Sequence, residues 1–310
     1  MSPRRPRERG FVLLIVIWVT GLLALIAASF VTAVRTHIKV TANTVENARA
    51  EALADAGVHI AIMDLVATRP DRARRFAADG TPTVCEVSTG DLLRIAVEDE
   101  AGKVDLNAAN EHLLTLLMQG LGAAPREAAA HADRVLDFRD PDEERRPLGA
   151  ERSDYAAAGL AHGPKNAAFD AVDELDQVLN IPAGWIGRLR PFATVYSGQA
   201  GIDPTVAPID LLVALGRTPQ RSAADARGLR RDEAFRRSLA VPQEFLVASQ
   251  RRAFTVRSEA RTMQGASFVR EAVVELRTTL TSAHVLRRWR RGESVRTHEP
   301  EEAERNAQPF

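Results

Sequence analysis

The chain has one cysteine, Cys85, in 310 residues. It can therefore build neither an intrachain disulfide nor a cysteine-rich zinc site. It also lacks an excess of either charge, since 41 Lys and Arg balance 41 Asp and Glu. A general nucleic-acid binder carries a basic excess, so that class is disfavoured. No G-x-S-x-G or H-E-x-x-H motif is present. His112, His131 and His162 are isolated and read as surface or capping residues. No nucleophile–base pair stands out, which points away from an enzyme. What remains is ordinary globular composition, 45% hydrophobic and 26% charged, enough for one large domain or two small ones.

The N-terminus is the most informative segment. Residues 1–10 carry Arg4, Arg5, Arg7 and Arg9 against Glu8. Phe11 to Val34 then run without a charge. As a helix this stretch spans about 36 Å, enough for a hydrocarbon core of about 30 Å. The basic flank keeps residues 1–10 on the cytoplasmic side, and in a bacterium the remainder lies outside the inner membrane. Three readings compete. The apolar run is long for a secretory signal and lacks an A-x-A site. A plain membrane anchor fits. So does a prepilin-like leader, whose peptidase cuts after a glycine at the cytoplasmic edge, and Arg9-Gly10-Phe11 meets that pattern.

The apolar run does not end in a turn. Arg35 to Leu65 contain no proline, so a single helix is expected from Phe11 to about Val66. Apolar or small residues recur at Ile38, Ala42, Val45, Ala48, Ala52, Ala56, Ile60 and Met63, three or four apart. This amphipathic face suits a helix in lipid below and against a soluble domain above, packing laterally in a filament.

Arg69 to Pro82 reads as a linker. Thr83–Val87 and Asp91–Glu98 alternate as strands around a turn at Ser88-Thr89-Gly90. Arg252–Ala260 and Ala266–Arg277 alternate likewise. A helical, loop-rich block from about Gly102 to Phe245 separates the two pairs. The economical topology is a small antiparallel sheet on the long helix, with the block inserted between its strands. The Arg- and Glu-rich tail from Arg287 reads as disordered.

Within the block, residues 103–122 and 201–216 form a weak repeat, each an Asp followed by a Leu-rich helix ending at glycine. The spacing suggests SAM-like or helix-hairpin-helix units. Amides of Gly120-Leu121-Gly122 could then cradle a DNA phosphate. The plainer reading is that Asp105 or Asn107 caps a helix and Gly122 ends it.

Residues 137–154 hold seven carboxylates in 18 residues, with Pro147 and Gly149 preventing one continuous helix. Carboxylates gathered by a bent loop need protons or a hard cation, and calcium takes about six to eight oxygens. The loop is no EF-hand, because Arg145 stands where the glycine belongs. Local pairing with Arg139, Arg145, Arg146 and Arg152 in a solvated loop is the alternative.

Five stretches together, ERGFVLLIVIWV, VEDEAGKVDLN, DFRDPDEERRPLGAERSDY, GPKNAAFDAVDELDQV and PFATVYSG with IDPTVAPIDLLVAL, resemble the K-type minor pseudopilin family of the bacterial type II secretion system (general secretion pathway protein K). The resemblance implies an α+β fold, with a long pilin helix on a small antiparallel sheet and a large α-helical domain inserted in the sheet. It divides the chain into a cleaved leader 1–10, a transmembrane part 11–34, helix and first strands 35–101, inserted domain 102–245, closing strands 246–280 and a tail 281–310. It implies cleavage between Gly10 and Phe11 by a prepilin peptidase and N-methylation of Phe11. It implies a non-enzymatic role at the pseudopilus tip with I-type and J-type minor pseudopilins, supporting protein export, with no nucleic acid involved. It also implies calcium, with candidate ligands Asp137, Asp140, Asp142, Glu144, Glu151 and Asp154. Where family members carry a disulfide, this chain, with Cys85 alone, makes none. Most pilin-like proteins have Glu five residues after the cut; here that position is Ile15. A carboxylate in hydrocarbon is costly unless paired. In most subunits it can meet the N-terminal amine of the neighbour above, whereas a tip subunit has no such neighbour. Ile15 fits a tip position, although an apolar residue also simply favours insertion. The competing function is a membrane-anchored DNA-binding or uptake protein using the hairpin-like units.

Overall fold

A computed structural model describes residues 8–67, 76–87, 90–216, 241–279, 282–293 and 308–309. Helix α1 (Glu8–Val66) is continuous over 59 residues. Nothing in it interrupts the hydrogen-bond ladder, and its hydroxyls are folded back onto it. Thr20, Ser29, Thr32 and Thr36 each donate to a carbonyl three or four residues earlier. Each of these hydroxyls thus finds its acceptor within its own helix, without water. Among the described residues α1 is the one helix long and apolar enough to cross a membrane, and its apolar stretch is uncovered.

The upper part of α1 lies on a sheet of β1 (Thr83–Glu86), β2 (Leu92–Asp99), β5 (Ala253–Arg261), β6 (Ser267–Thr279), β7 (Ser282–Arg291) and β8 (Gln308–Pro309), in the order β7-β6-β5-β2-β1-β8. All neighbours are antiparallel except β1 and β8. In β2 burial alternates strictly, as a strand with one covered face requires. The covered side meets Ala54, Val58, Ala61, Ile62 and Leu65 of α1 over Leu93, Ile95, Val97, Phe254 and Val256.

This is not the helix face expected from the sequence. Ile38, Val45 and Met63 are 63%, 60% and 64% exposed, and Ala42, Ala48, Ala52 and Ala56 are exposed with them. α1 has two apolar stripes on opposite sides, and the one holding Ala50, Ala54, Gly57 and Ala61 takes the sheet because small residues permit close approach. Gly57 is the tightest point, where a Cβ would strike the Ser258 hydroxyl. Alongside, Arg270 is buried and pairs with Asp55 (2.5 Å) and Glu51 (2.6 Å) of α1, its guanidinium stacked over Phe268 and Trp289.

The segment from Arg287, expected as disordered tail, continues the sheet as β7. Its arginines are partnered: Arg287 with Glu275, Arg288 with Asp173 and Arg290 with Glu271. Residues 294–307 lie outside those described, as do Ser88, Thr89 and residues 69–75 of the proposed linker.

Residues between β2 and β5 build a second core. It contains β3 (Val104–Asp105) parallel to β4 (Ala193–Thr194), and helices α2 (Glu111–Gly120), α3 (Pro125–Arg139), α4 (Arg152–Ala157), α5 (Ala183–Leu189) and α6 (Ile209–Gly216). Leu113, Leu117, Val135, Phe138, Tyr155 and Leu212 are fully or almost fully buried in it. The two repeat halves pack together, since a Cβ on Gly120 of α2 would strike the Ala214 backbone of α6. Their aspartates do the same work. Asp105 accepts from the Asn107 N–H and from Ser197 and Gly198, while Asp203 accepts from the Thr205 and Ser249 N–H groups.

The placement of this second core follows from three contacts. Arg49 of α1 pairs with Asp91, just before β2 (2.8 Å). Gly57 lies against Leu93 and Ser258. β2 therefore rises alongside α1, and from the Arg49–Asp91 pair both cover about 26 Å to their upper ends. The insertion leaves β2 at Asp99 and re-enters at Ala253, paired near that same upper end. It sits at the end of α1 opposite the apolar span.

Candidate functional site

Gly10, Phe11 and Ile15 all lie within α1, where Phe11 and Ile15 are 67% and 45% exposed. The chemistry-bearing cluster is elsewhere, at the C-terminal end of α3. Pro125 opens α3, and its inner face carries Ala128, Ala132, Val135 and Phe138 into the core. The same winding buries Asp133 and Asp137, one turn apart. These two hold the following loop by its backbone: Leu148 N–H donates to Asp133 Oδ2 (3.0 Å) and Arg146 N–H to Asp137 Oδ2 (3.3 Å). Gly149 has no room for a side chain, since a Cβ would strike the Asp137 carboxylate. The loop then delivers Glu151, the residue before α4, back onto the same spot, only 3% exposed.

Of the six candidate ligands, Asp137, Asp140, Asp142 and Glu151 come within electrostatic reach of one another, and the other two do not join them. Burial, then the charges of Asp137 and Asp140, push the Glu151 carboxyl up to about 7; Glu143 and Asp142 add to this. Burial likewise pushes Asp137 up to about 6, although the Arg146 N–H opposes it. Burial and Asp142 raise Asp140. Both oxygens of Glu151 and Asp140 Oδ1 are buried without a hydrogen-bond partner; Asp137 Oδ1 accepts no hydrogen bond either, but lies 3.4 Å from Arg146 Nε in an ion pair. Asp154 is committed instead to the Glu151 N–H (2.9 Å) and Arg145 (3.1 Å), and Glu144 points to solvent. Two participants have no counterpart in the acidic pattern read from sequence: Asp133, which holds the loop, and Asn166, whose amide reaches Asp142 and Glu143.

Bare buried carboxylate oxygens of like charge are costly, and only protons or a cation relieve them. Their hard oxygen chemistry suits calcium. Among the described residues, however, no three His, Cys, Asp or Glu side chains are gathered closely enough to hold a metal ion as they stand. Ion capture therefore requires the loop to draw in.

The hairpin turn offers nothing to a phosphate. The N–H groups of Leu121, Gly122 and Ala123 all bond back to α2 carbonyls at 2.9–3.0 Å, and Gly122 (φ 100°) ends the helix. Asn110, rather than Asp105 or Asn107, caps α2. The histidines lie on separate structures. His112 pairs with Glu244, and His162 lies beside Tyr155. His131 is buried, not a surface residue, with its ring edge-on to Trp185 at 5.6 Å; burial holds its pKa below the ordinary value.

Residues 92–198 match the family model of the first domain of type II secretion system protein K. No curated protein matches the chain. Among solved structures, the chain is similar in fold to one in the GspK-GspI-GspJ complex from the type 2 secretion system of enterotoxigenic Escherichia coli. The identity is 21% and the TM-score 0.51, over 84% of this chain and 99% of that one. The resemblance read from the sequence thus holds, and residues 92–198 form a protein K domain of the type II secretion system, the K-type minor pseudopilin family.

Proposed function

We propose that this protein is a minor pseudopilin located at the tip of the pseudopilus, where it primes assembly and supports export of folded proteins across the outer membrane. The observation that carries this reading is the seat of the inserted domain at the end of α1 away from the apolar span. A body of that size on top of the helix leaves no room for another subunit to stack above it. Prepilin peptidase cuts between Gly10 and Phe11, and Phe11 is then N-methylated. α1 passes once through the inner membrane, with residues 1–10 cytoplasmic and the folded part periplasmic. The I-type and J-type minor pseudopilins are the partners, and the exposed stripe from Ile38 to Met63 is the surface their helices cover. Ile15 suits a subunit with nothing above it. The α2–α3 pair acts as a helix-hairpin-helix-like packing unit, not a nucleic-acid reader, because its turn amides are already spent. The protein is non-enzymatic. Calcium is the ion of the acidic site, where Asp137, Asp140, Asp142 and Glu151 would supply its oxygens; Glu144 and Asp154 drop out of the ligand set.

Co-expression tests the assembly. The full chain, solubilised from membranes with its I-type and J-type counterparts, is expected to elute with both as one complex. Elution alone, with the other two still paired, contradicts the proposal.

A further inference from the structure

β7 ends the sheet on its side, and among the described residues no strand pairs with its outer edge. The Gly292 N–H donates to the Val269 carbonyl of β6 (2.9 Å). Antiparallel pairing alternates, so Arg290 also turns its backbone groups to β6, while Trp289 and Arg291 turn theirs to the open edge. Such bare groups are a template for another strand, and proteins commonly blunt them with charge. Here the charge has one sign. β7 carries Arg287, Arg288, Arg290 and Arg291, although the chain as a whole is neutral. The carboxylate partners of the first three are each shared with a second arginine: Glu275 with Arg252, Asp173 with Arg190 and Glu271 with Arg257. Arg291 has no carboxylate partner among the described residues, and its guanidinium rests over Phe268 at 4.9 Å. Apolar anchors stand beside these charges. Trp289 is 37% and Leu286 41% exposed. Both lie on the α1 side of the sheet, opposite Ala272 and Val274, and Trp289 meets His59 of α1 at 5.8 Å.

We propose that the outer edge of β7 is a docking site for an extended, acidic segment of another protein, which adds to the sheet as a further strand. Main-chain bonds to Trp289 and Arg291 supply the affinity, and the alternating side chains supply the selectivity. On the α1 side the incoming strand covers Trp289 and meets Arg291; on the other side it meets Arg288 and Arg290. Its carboxylates complete pairs in which two guanidiniums now share one partner. A second copy of this chain is not the occupant, because β7 paired antiparallel with itself sets arginine against arginine. The chain's own last residues are engaged at the opposite edge, where β8 pairs with β1.

Fluorescence anisotropy with the full chain in detergent tests this, using a labelled peptide of about ten residues that alternates Glu and Val. The peptide is expected to bind with a Kd of about 10–100 μM at low salt and to weaken as salt is raised. Replacing its Glu by Gln, or methylating its backbone nitrogens, is expected to weaken binding at least about tenfold. Arg291→Glu, at an exposed side chain outside both cores, is expected to weaken it at least about fivefold with an unchanged melting temperature. Equal binding of the Gln peptide overturns the acidic preference. Equal binding of the methylated peptide overturns strand addition and leaves only attraction by the arginines. Wild-type affinity in Arg291→Glu places the peptide elsewhere, and a chain that binds no acidic peptide has no such site; either result overturns the proposal.

Discussion

In the absence of divalent cations the melting temperature is expected to fall as the pH rises from about 6 to 8, and calcium is expected to abolish the fall. The sign follows from the carboxylates. Burial and mutual repulsion raise Glu151 to about 7 and Asp137 to about 6 in the folded chain, above their ordinary values of 4.5 and 3.8. A group with a raised folded pKa stabilises the fold while it is protonated. That stability is complete below the ordinary value and disappears as the pH climbs through the folded one. Each unit of displacement corresponds to about 1.4 kcal/mol. The two groups titrate as a coupled set, so their joint cost at pH 8 is on the order of 3–5 kcal/mol rather than the separate sum. Most of that cost builds up between about pH 4 and 6; about 1–2 kcal/mol of it falls between pH 6 and 8, which for a chain of this length is a drop of roughly 2–4 °C. On the proposed calcium reading, calcium is expected to replace the lost protons, and magnesium, which gives up its waters reluctantly, to do so poorly. His131 acts with the opposite sign. Its pKa is lowered by burial, so its contribution is present above about 6.5 and is lost as the pH falls. Glu151→Gln separates the two effects and is expected to flatten the alkaline fall. A cation-free melting temperature that holds level or rises across this range contradicts the account.

Lys103→Met is expected to lower stability by about 3–5 kcal/mol. Lys103 is buried where the inserted domain joins the sheet, with Nζ 2.9 Å from both Glu100 Oε1 and Glu98 Oε2. Burial works against its charge, but Glu100 and Glu98 more than offset this and hold its pKa above the ordinary value. Glu100 is itself only 3% exposed and also accepts from Thr194 in β4 and Thr255 in β5. Removing the ammonium leaves a buried carboxylate held by two hydroxyls, which is the expensive half of a broken buried pair. Adding Glu100→Gln should restore a large part of the loss, because the stranded charge goes with it. Thermal melting of the single and double variants reads both effects. A single variant melting within about two degrees of wild type would show that the pair carries no such strain.

The helix and sheet were legible for simple reasons. An uncharged run without proline can only be α1, and strict alternation marks β2. The side of α1 that takes the sheet was not legible, because Ala, Gly and Val make both faces apolar and only contact with Ser258 and Leu93 decides between them. β7 was hidden because its arginines find their carboxylates on β6 and beside α5, far away in sequence. At the acidic site, composition revealed the excess charge but not its direction. α3 turns Asp137 inward, the loop returns Glu151 to it, and Arg145 draws Asp154 aside. Asn166 arrives from another segment and is uncharged, so no acidic pattern could include it.

The account depends on how α1 begins. Intact-mass and N-terminal peptide analysis of the protein isolated from membranes, in cells that carry a prepilin peptidase, measures this directly. The mature chain is expected to start at Phe11 carrying one added methyl group on its amine. A chain that still starts at Met1 or Ser2, or one cut beyond Val34, would contradict the account.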